Sequence, residues 1–345
     1  MKSVDKNQIE AVSEKYRVAE ITAEKVIWLT RVLAELSGSR IAEDFALMGG
    51  SAIVYLHADL YRFSTDLDLD FIANGDLGRE NLSDLVARHE KDEKMLSKIA
   101  DKLGLKCEKE EKKKDKKRFC QYHMFYDSVY SKGAKNAVDL DLSYRYCHSV
   151  LSTQHRKWPL CSEADVGSFE VQTFAEEELY AGKAVALIGG ERYDFAGKMG
   201  LGFKNPMRQL YDIHFLASSF SKNRRPFDIK LFRRLLLLFG MTRIRNFDLQ
   251  RGDVIAAFTQ EDFDVQLTGV LRRHRLPPSL AEMQKRVRKF LDEILRWKGE
   301  EDRFIEDFKH KIFRPERILD RKAASHLKGL YYYDEIIERV QLPKE

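Results

Sequence analysis

Three aspartates alternate with apolar residues in one short stretch of the chain. Asp66, Asp68 and Asp70 are separated by Leu67 and Leu69. This alternation predicts a β-strand in which every second side chain shares a face, so that the carboxylates lie about 7 Å apart. Ionised carboxylates at this spacing repel each other, and a bound Mg²⁺ removes the repulsion. The alternative is a charged edge strand, although edge strands more often carry Lys or Thr.

A second stretch repeats the alternation further along the chain. Asp139 and Asp141 are interleaved with Val138, Leu140 and Leu142. If the two strands lie side by side, about 4.8 Å apart, they gather at least four carboxylates on one face. Such a face is stable only if cations bind to it or if the pKa values of its carboxyl groups are strongly shifted. The two stretches together therefore indicate a metal site.

A turn of small residues precedes the first of these strands. Gly49 and Gly50 let the backbone approach a ligand closely, and successive N–H groups can form a concavity that binds anions. Ser51 adds a hydroxyl donor. The apolar run 52–60 favours a helix whose N-terminus faces the same anion. A glycine turn of this kind next to an Asp-x-Asp strand suits phosphate groups held with a divalent cation.

These strings, in this order, resemble the polymerase-β-type nucleotidyltransferase superfamily. The fuller pattern, Gly49-Gly50-Ser51 followed by Arg62-Phe63-Ser64-Thr65-Asp66-Leu67-Asp68, resembles its AbiEii/AbiGii-type toxins, which belong to abortive-infection toxin–antitoxin systems. Two features differ from the family pattern. The gap between the glycines and Arg62 is longer, and Asp70 stands where an apolar residue is expected, so no ligand role is assigned to Asp70.

The resemblance implies a set of site residues. Asp66, Asp68 and Asp141 are expected to bind Mg²⁺, with Mn²⁺ as the alternative ion and Asp139 as the alternative to Asp141. The residues expected to bind the nucleotide are Gly49, Gly50, Ser51, Arg62, Ser64 and Lys183. Lys183 lies in a string, 176–187, that closely matches one in the family, where the lysine faces the triphosphate. A lysine whose stem covers apolar surface is the structural alternative.

A last motif of the toxin family is only partly present. The string Arg208-Gln209-Leu210-Tyr211-Asp212 resembles its Arg-Asp-x-x-Asp motif, but the first Asp is replaced by Gln209. Asp212 is retained and is expected to support catalysis. An ion pair with Arg208 on a helix surface is the structural alternative.

Composition restricts the class of protein. The chain has 345 residues, of which 43% are hydrophobic and 33% charged, as expected for a soluble globular protein. No apolar run approaches the ~20 residues of a membrane span, and the first ten residues lack a signal-peptide core. The four cysteines form no Cys-x-x-Cys pair, so a reducing cytoplasm is the expected compartment.

The net charge of +5 is unevenly distributed. Basic clusters recur in the second half, at 222–225, 233–234, 272–275 and 285–289. Solvated helix faces are the usual explanation for such clusters. Together with the nucleotidyltransferase pattern, however, they favour contacts with RNA phosphates.

The periodicity predicts helices over 5–38 and 82–103 and strands over 105–109, 119–130 and 136–145, with a solvated loop at 110–118. From 176 onward, long amphipathic helices follow. The expected fold is α/β (α+β): residues 1–175 form a polymerase-β-like core with a small mixed sheet, and residues 176–345 form a helical C-terminal domain.

The expected activity is Mg²⁺-dependent nucleotidyl transfer. By resemblance, the protein transfers a nucleotide from a nucleoside triphosphate (NTP) to RNA, with the tRNA 3′ end as the acceptor, and a cognate antitoxin neutralises it. One alternative is a nucleotidyltransferase that modifies a protein or a small molecule. A second alternative is a non-catalytic nucleotide-binding partner in a complex.

Overall fold

The computed structural model of the protein describes residues 4–72, 82–110, 119–131, 135–144, 149–189, 206–220, 227–243, 255–272 and 278–328. The chain divides into two compact units. The first comprises Met1–Phe174 and Gly269–Leu276, and the second comprises Ala175–Thr268 and Pro277–Glu345. The charged run 111–118, the basic cluster 222–225 and Arg273 and Arg275 lie outside the described residues.

The helices of the first unit are α1 (Lys6–Tyr16), α2 (Glu20–Ser37), α3 (Ile41–Asp44) and α4 (Leu82–Leu103). The sequence predicts one continuous helix over 5–38, but the structure contains two. Arg17 adopts a left-handed backbone conformation (φ 53°), and its N–H bonds the carbonyls of Glu14 and Ser13, which ends α1. Helix α4 agrees with the predicted helix over 82–103.

The first unit contains a seven-stranded mixed sheet in the order β3-β4-β5-β2-β1-β7-β6. The strands are β1 (Phe45–Met48), β2 (Asp66–Phe71), β3 (Lys106–Lys109), β4 (Phe119–Asp127), β5 (Lys135–Ser143), β6 (Gln154–Lys157) and β7 (Glu170–Thr173). Strands β2 and β5, which carry the aspartates, are adjacent and parallel. The predicted α/β class with a mixed sheet is therefore confirmed.

Alternation along β2 and β5 sorts their side chains between core and surface. Leu67 and Leu69 are buried on β2, and Leu140 and Leu142 are buried on β5. Burial of such side chains contributes roughly 1.5–3 kcal/mol each, before the entropic cost of ordering the chain. A one-residue slip would turn the aspartates into the core, so the buried leucines set the register.

The second unit is helical in the part that the structure describes. Its helices are α5 (Glu176–Gly189), α6 (Pro206–Phe220), α7 (Ile229–Arg243), α8 (Gln260–Gln266), α9 (Leu280–Ile294), α10 (Glu300–Lys309) and α11 (Arg321–Lys328). Helix α5 carries three acidic residues in its first turn, where they interact favourably with the helix dipole. Helices α8 and α9 each begin with a capping box, at Thr259 and Ser279. None of the described helices is long and apolar enough to span a membrane.

Candidate active site

The aspartates of the two strands lie in cross-strand pairs. The parallel register of β2 and β5 places Asp66 opposite Asp139 and Asp68 opposite Asp141. All four side chains are partly exposed, whereas the leucines between them are buried. Asp70, two residues further along β2, is only 3% exposed. The carboxylate face therefore consists of the first two aspartates of β2 and the two aspartates of β5.

Asp139 is bound by two basic groups of the protein. The Lys25 ammonium group on α2 donates to Asp139 Oδ2 at 2.9 Å, and His123 Nδ1 on β4 lies 2.8 Å from Asp139 Oδ1. Burial by itself raises the pKa of the Asp139 carboxyl group, but Lys25 and His123 outweigh it and lower that pKa. Lys25 also lies 4.0 Å from Asp66 Oδ1. One carboxylate pair is therefore already partly neutralised by a lysine.

The carboxylate face is suited to a divalent cation for two reasons, the type of its ligand atoms and the alignment of β2 with β5. Carboxylate oxygens are the ligands that Mg²⁺ prefers, and the in-register pairs bring four of these side chains to neighbouring positions. Within the described part of the chain, no three His, Cys, Asp or Glu side chains are grouped as a ready-made metal site. The two carboxylate oxygens of Asp139 instead face Lys25 and His123.

The glycine turn packs directly against the carboxylate face. Gly49 has φ +69°, and a β-carbon there would collide with the Asp68 carboxylate. A β-carbon at Gly50 would lie 2.7 Å from Ser64 Oγ and 3.0 Å from Arg62 Nη2. Glycine is therefore favoured at both positions, because a side chain at 49 would meet Asp68 and one at 50 would meet Ser64 and Arg62.

The turn continues into a helical segment that differs from an ordinary α-helix. Gly49–Ser51 form one helical turn after β1, and Ala52–His57 continue as a π-helix. Such wide helical turns are uncommon and frequently occur at functional sites. The predicted helix after the glycines is therefore present, but it is short and wide, and it ends before Ala58.

Three of the polar residues expected to bind nucleotide are buried in the first unit. Ser51 is fully buried, and its hydroxyl donates to the Asp66 carbonyl at 2.5 Å. Arg62 is 1% exposed and donates to the Phe63 carbonyl at 2.8 Å. Ser64 is 4% exposed, and its backbone bonds the Tyr55 hydroxyl. In this arrangement the Ser51 hydroxyl links the glycine turn to β2, and the bonds of Arg62 and Ser64 hold the segment that precedes β2.

Lys183 and Asp212 form an ion pair inside the second unit. The Lys183 Nζ lies 3.6 Å from Asp212 Oδ2, between helices α5 and α6. The Asp212 side chain is fully buried, and the Lys183 side chain is 13% exposed. A buried carboxylate is costly without a cationic partner, so Lys183 compensates the charge of Asp212 where the two helices meet.

Two residues of the partly matching motif on α6 contact different elements of the second unit. Arg208 Nε donates to the Gln266 carbonyl at 3.1 Å, while Asp212 pairs with Lys183. Gln209, which replaces the first aspartate of the motif, has a buried side-chain oxygen without a hydrogen-bond partner among the described residues.

Two residues that contact the carboxylate face had no signal in the sequence. Lys25 lies within a helical segment, and His123 lies in an aromatic-rich strand, so both resemble ordinary surface or core positions. They reach Asp139 only because α2 and β4 both pack beside β5.

The sequence and the fold are both similar to those of known proteins. Residues 31–313 match the model of the family described as nucleotidyl transferase AbiEii toxin, type IV toxin–antitoxin system. Among solved structures, the fold is similar to MenT4, a nucleotidyltransferase toxin from Mycobacterium tuberculosis H37Rv. The TM-score is 0.58 at 16% sequence identity, covering 99% of this chain and 100% of MenT4. No curated protein matches the sequence.

The family match covers most of the chain, including β2, β5, the glycine turn, Lys183 and Asp212. This chain therefore belongs to the AbiEii family of nucleotidyltransferase toxins of type IV toxin–antitoxin systems.

Proposed function

We propose that this protein transfers a nucleotide from an NTP to RNA in a reaction that depends on Mg²⁺, and that the 3′ end of tRNA is the acceptor to test first. The observation that carries the proposal is the pairing of Asp66 with Asp139 and of Asp68 with Asp141 beside the glycine turn. A cognate antitoxin is expected as a partner, because the chain belongs to a toxin–antitoxin family.

The carboxylates of the first unit supply the ligands in this proposal. Asp66 and Asp68 would hold two Mg²⁺ ions, and Asp141 would hold the ion next to the acceptor hydroxyl. Bound in this way, the ions neutralise charge on the attacking and leaving oxygens. Asp141 is preferred over Asp139, because both carboxylate oxygens of Asp139 already contact Lys25 and His123.

The nucleotide would be held mainly by backbone groups and one lysine. Gly49 and Gly50 would present backbone N–H groups to phosphate oxygens at a point where side chains would clash. Ser51, Arg62 and Ser64 would keep this backbone in place, since their side chains are buried. Lys183 would supply positive charge for the triphosphate, and Asp212 would orient its ammonium group.

The acceptor would bind the basic side of α9. Its exposed residues include Lys285, Arg286, Arg288 and Lys289. The buried apolar residues of the helix are Met283, Val287, Phe290, Leu291 and Ile294. A groove of about 570 Å³ runs along this side; its charged lining residues are Lys285, Arg288, Lys289, Arg296, Asp292 and Glu293. Phosphate groups of RNA bind such a cluster by releasing counterions.

One experiment tests the chemistry and the acceptor together. The protein is incubated with each radiolabelled NTP, total RNA and Mg²⁺, and the labelled product is identified. We expect label on RNA with the wild type and none with Asp66→Asn/Asp68→Asn. The matched control is Asp101→Asn/Asp127→Asn, because both are exposed aspartates of the same unit and neither is one of the four aspartates of the carboxylate face. The control should label RNA at the wild-type rate.

The same experiment distinguishes the other candidate functions. Label on a protein or a small molecule would replace RNA as the acceptor. If no NTP gives any product, and Mg²⁺ does not raise the melting temperature of the wild type, the chain is a non-catalytic partner. A ligand that binds only the native state must raise that temperature.

A further inference from the structure

The ammonium group of Lys25 lies close to one of the two carboxylate pairs, Asp66 and Asp139. It is 2.9 Å from Asp139 Oδ2 and 4.0 Å from Asp66 Oδ1, the two residues that face each other across β2 and β5. The side chain of Lys25 is only 23% exposed. An ammonium group in this position partly neutralises both carboxylates in the absence of any metal ion.

The partners of Lys25 hold it in this place. Asp139, which receives the ammonium group on one oxygen, contacts His123 Nδ1 with the other at 2.8 Å. The other ring nitrogen of His123 lies 3.7 Å from the Glu110 carboxylate. Two basic residues, Lys25 and His123, thus orient the Asp139 carboxylate. Its side chain has little freedom left to rotate towards a metal ion.

The backbone of Lys25 is fixed as well. The neighbouring residue on α2, Glu24, is fully buried and accepts hydrogen bonds from the Ser128 hydroxyl at 2.6 Å and from the Val129 N–H at 2.7 Å. These bonds connect α2 to the segment between β4 and β5. Lys25 therefore approaches the carboxylate face from an anchored helix and not from a flexible loop.

We propose that Lys25 is a positioning residue that serves as the chain's own counter-cation for Asp66, so that a divalent cation at Asp66 must compete with the Lys25 ammonium group. The inference rests on the proposed function, because it assumes a cation at Asp66. Without metal, Lys25 keeps the facing carboxylates from repelling each other. With metal, it lowers the affinity of the site, so that tight binding requires the additional charge of a bound triphosphate.

The test compares Lys25→Met, which removes the charge and keeps the apolar stem, with Lys25→Arg, which keeps the charge. Mn²⁺ affinity is measured by electron paramagnetic resonance, and the Mg²⁺-induced rise in melting temperature by calorimetry, both without nucleotide. A unit charge about 4 Å from a ligand oxygen is expected to change cation affinity at least ~10-fold despite screening. Lys25→Met should therefore bind Mn²⁺ at least ~10-fold more tightly than the wild type.

Stability in the absence of metal gives a second readout. Lys25→Met should melt at a lower temperature than the wild type without metal and show the larger rise on addition of Mg²⁺, while Lys25→Arg should resemble the wild type in both. Lys102→Met is the matched control, because it breaks an exposed ion pair of α4 with Glu35 on α2. It should leave Mn²⁺ affinity unchanged. Lys25→Gln, which can still donate to Asp139, replaces Lys25→Met if the latter does not fold.

Two results would overturn the inference while leaving the proposed function intact. In both, the wild type binds Mn²⁺ normally. In the first, Lys25→Met and Lys25→Gln bind Mn²⁺ with the wild-type affinity; in the second, they bind it more weakly than the wild type. If the wild type itself binds no Mn²⁺, the proposed function and the inference fail together.

Discussion

At the scale of single residues, Gly49 is a position where the structure leaves no room for a side chain. A β-carbon there would collide with Asp68, and the backbone is left-handed at φ +69°. Gly49→Ala should lower the free energy of unfolding by at least about 2 kcal/mol, because the collision adds to the left-handed strain. It should also abolish the Mg²⁺-induced rise in melting temperature, since Asp68 must move.

Gly104 provides a matched control for this substitution. It has φ +71°, but a β-carbon there would meet no atom within 4 Å. Gly104→Ala should cost only about 1 kcal/mol and leave the Mg²⁺ response unchanged. Chemical denaturation with and without Mg²⁺ measures both effects. Equal destabilisation of the two variants would show that Gly49 matters only for its backbone conformation.

Lys183 is expected to affect both folding and nucleotide binding. Because it faces the fully buried Asp212, Lys183→Met should destabilise the protein by about 3 kcal/mol. A lysine whose stem only covered apolar surface could be exchanged for Met without this cost. If Lys183 also contacts the triphosphate, the variant should bind nucleotide about 1.5–3 kcal/mol more weakly.

The contribution to binding can be separated from the contribution to folding. Lys183→Met/Asp212→Asn removes both charges and should recover part of the stability, as a denaturation cycle of the two single variants and the double variant will show. Triphosphate binding, measured by titration calorimetry, should remain weak in the double variant. Recovery of affinity along with stability would leave Lys183 with a structural role alone.

At the scale of elements, α1 is attached to the segment before β7 by a carboxylate. Glu163 accepts hydrogen bonds from the Lys15 ammonium group at 2.5 Å, the Tyr16 hydroxyl at 2.6 Å and the Ser162 hydroxyl at 2.7 Å. Burial by itself raises the pKa of Glu163, but these donors outweigh it and lower that pKa to about 2. The attachment of α1 therefore depends on an ionised carboxylate.

The lowered pKa of Glu163 predicts a specific acid sensitivity. Since the folded-state pKa is below the ordinary value of 4.5, this contribution to stability is present above about pH 4.5 and disappears as the pH falls towards 2. Glu163→Gln should be about 2 kcal/mol less stable at pH 7 and should respond less to acidification than the wild type. Glu35→Gln, which breaks the exposed pair with Lys102, should retain the wild-type acid dependence in urea unfolding measured from pH 7 to pH 2.

At the scale of the whole molecule, the placement of positive charge matters more than its net value of +5. Arg272, which belongs to one of the basic clusters, donates to the backbone carbonyls of Tyr16 and Leu60, so it contributes to packing in the first unit. The basic side of α9 remains the best candidate for RNA. Its charged side chains are exposed, and its apolar side is buried.

The salt dependence of RNA binding tests this assignment. Lys285→Glu/Arg288→Glu/Lys289→Glu should flatten the slope of log affinity against log salt by about 0.7–0.9 for each phosphate that the variant no longer binds. Lys309→Glu/Arg321→Glu/Lys322→Glu changes net charge equally on exposed residues of α10 and α11 and should change the slope less. The Mg²⁺ response should survive in both variants. Equal slopes in the two triple variants would make α9 an ordinary solvated surface.

The sequence by itself determined the local features of this protein. Alternation defined β2 and β5, the glycines defined the turn before the first strand, and the apolar periodicity defined α4. These features follow from interactions between residues close in the chain, which is why a single sequence reveals them. The strings also indicated the family, and the family match confirmed it.

Only the tertiary structure decided which groups meet. Lys25 and Asp139 are 114 positions apart in the sequence, and Ser51 and Asp66 are 15 positions apart, so neither interaction has a periodic signature. The burial of Arg62 and the pairing of Lys183 with Asp212 likewise arise from packing between elements. The physical reason is that strand register and helix docking are set by the best burial of apolar faces, and polar side chains take the partners that this packing brings to them.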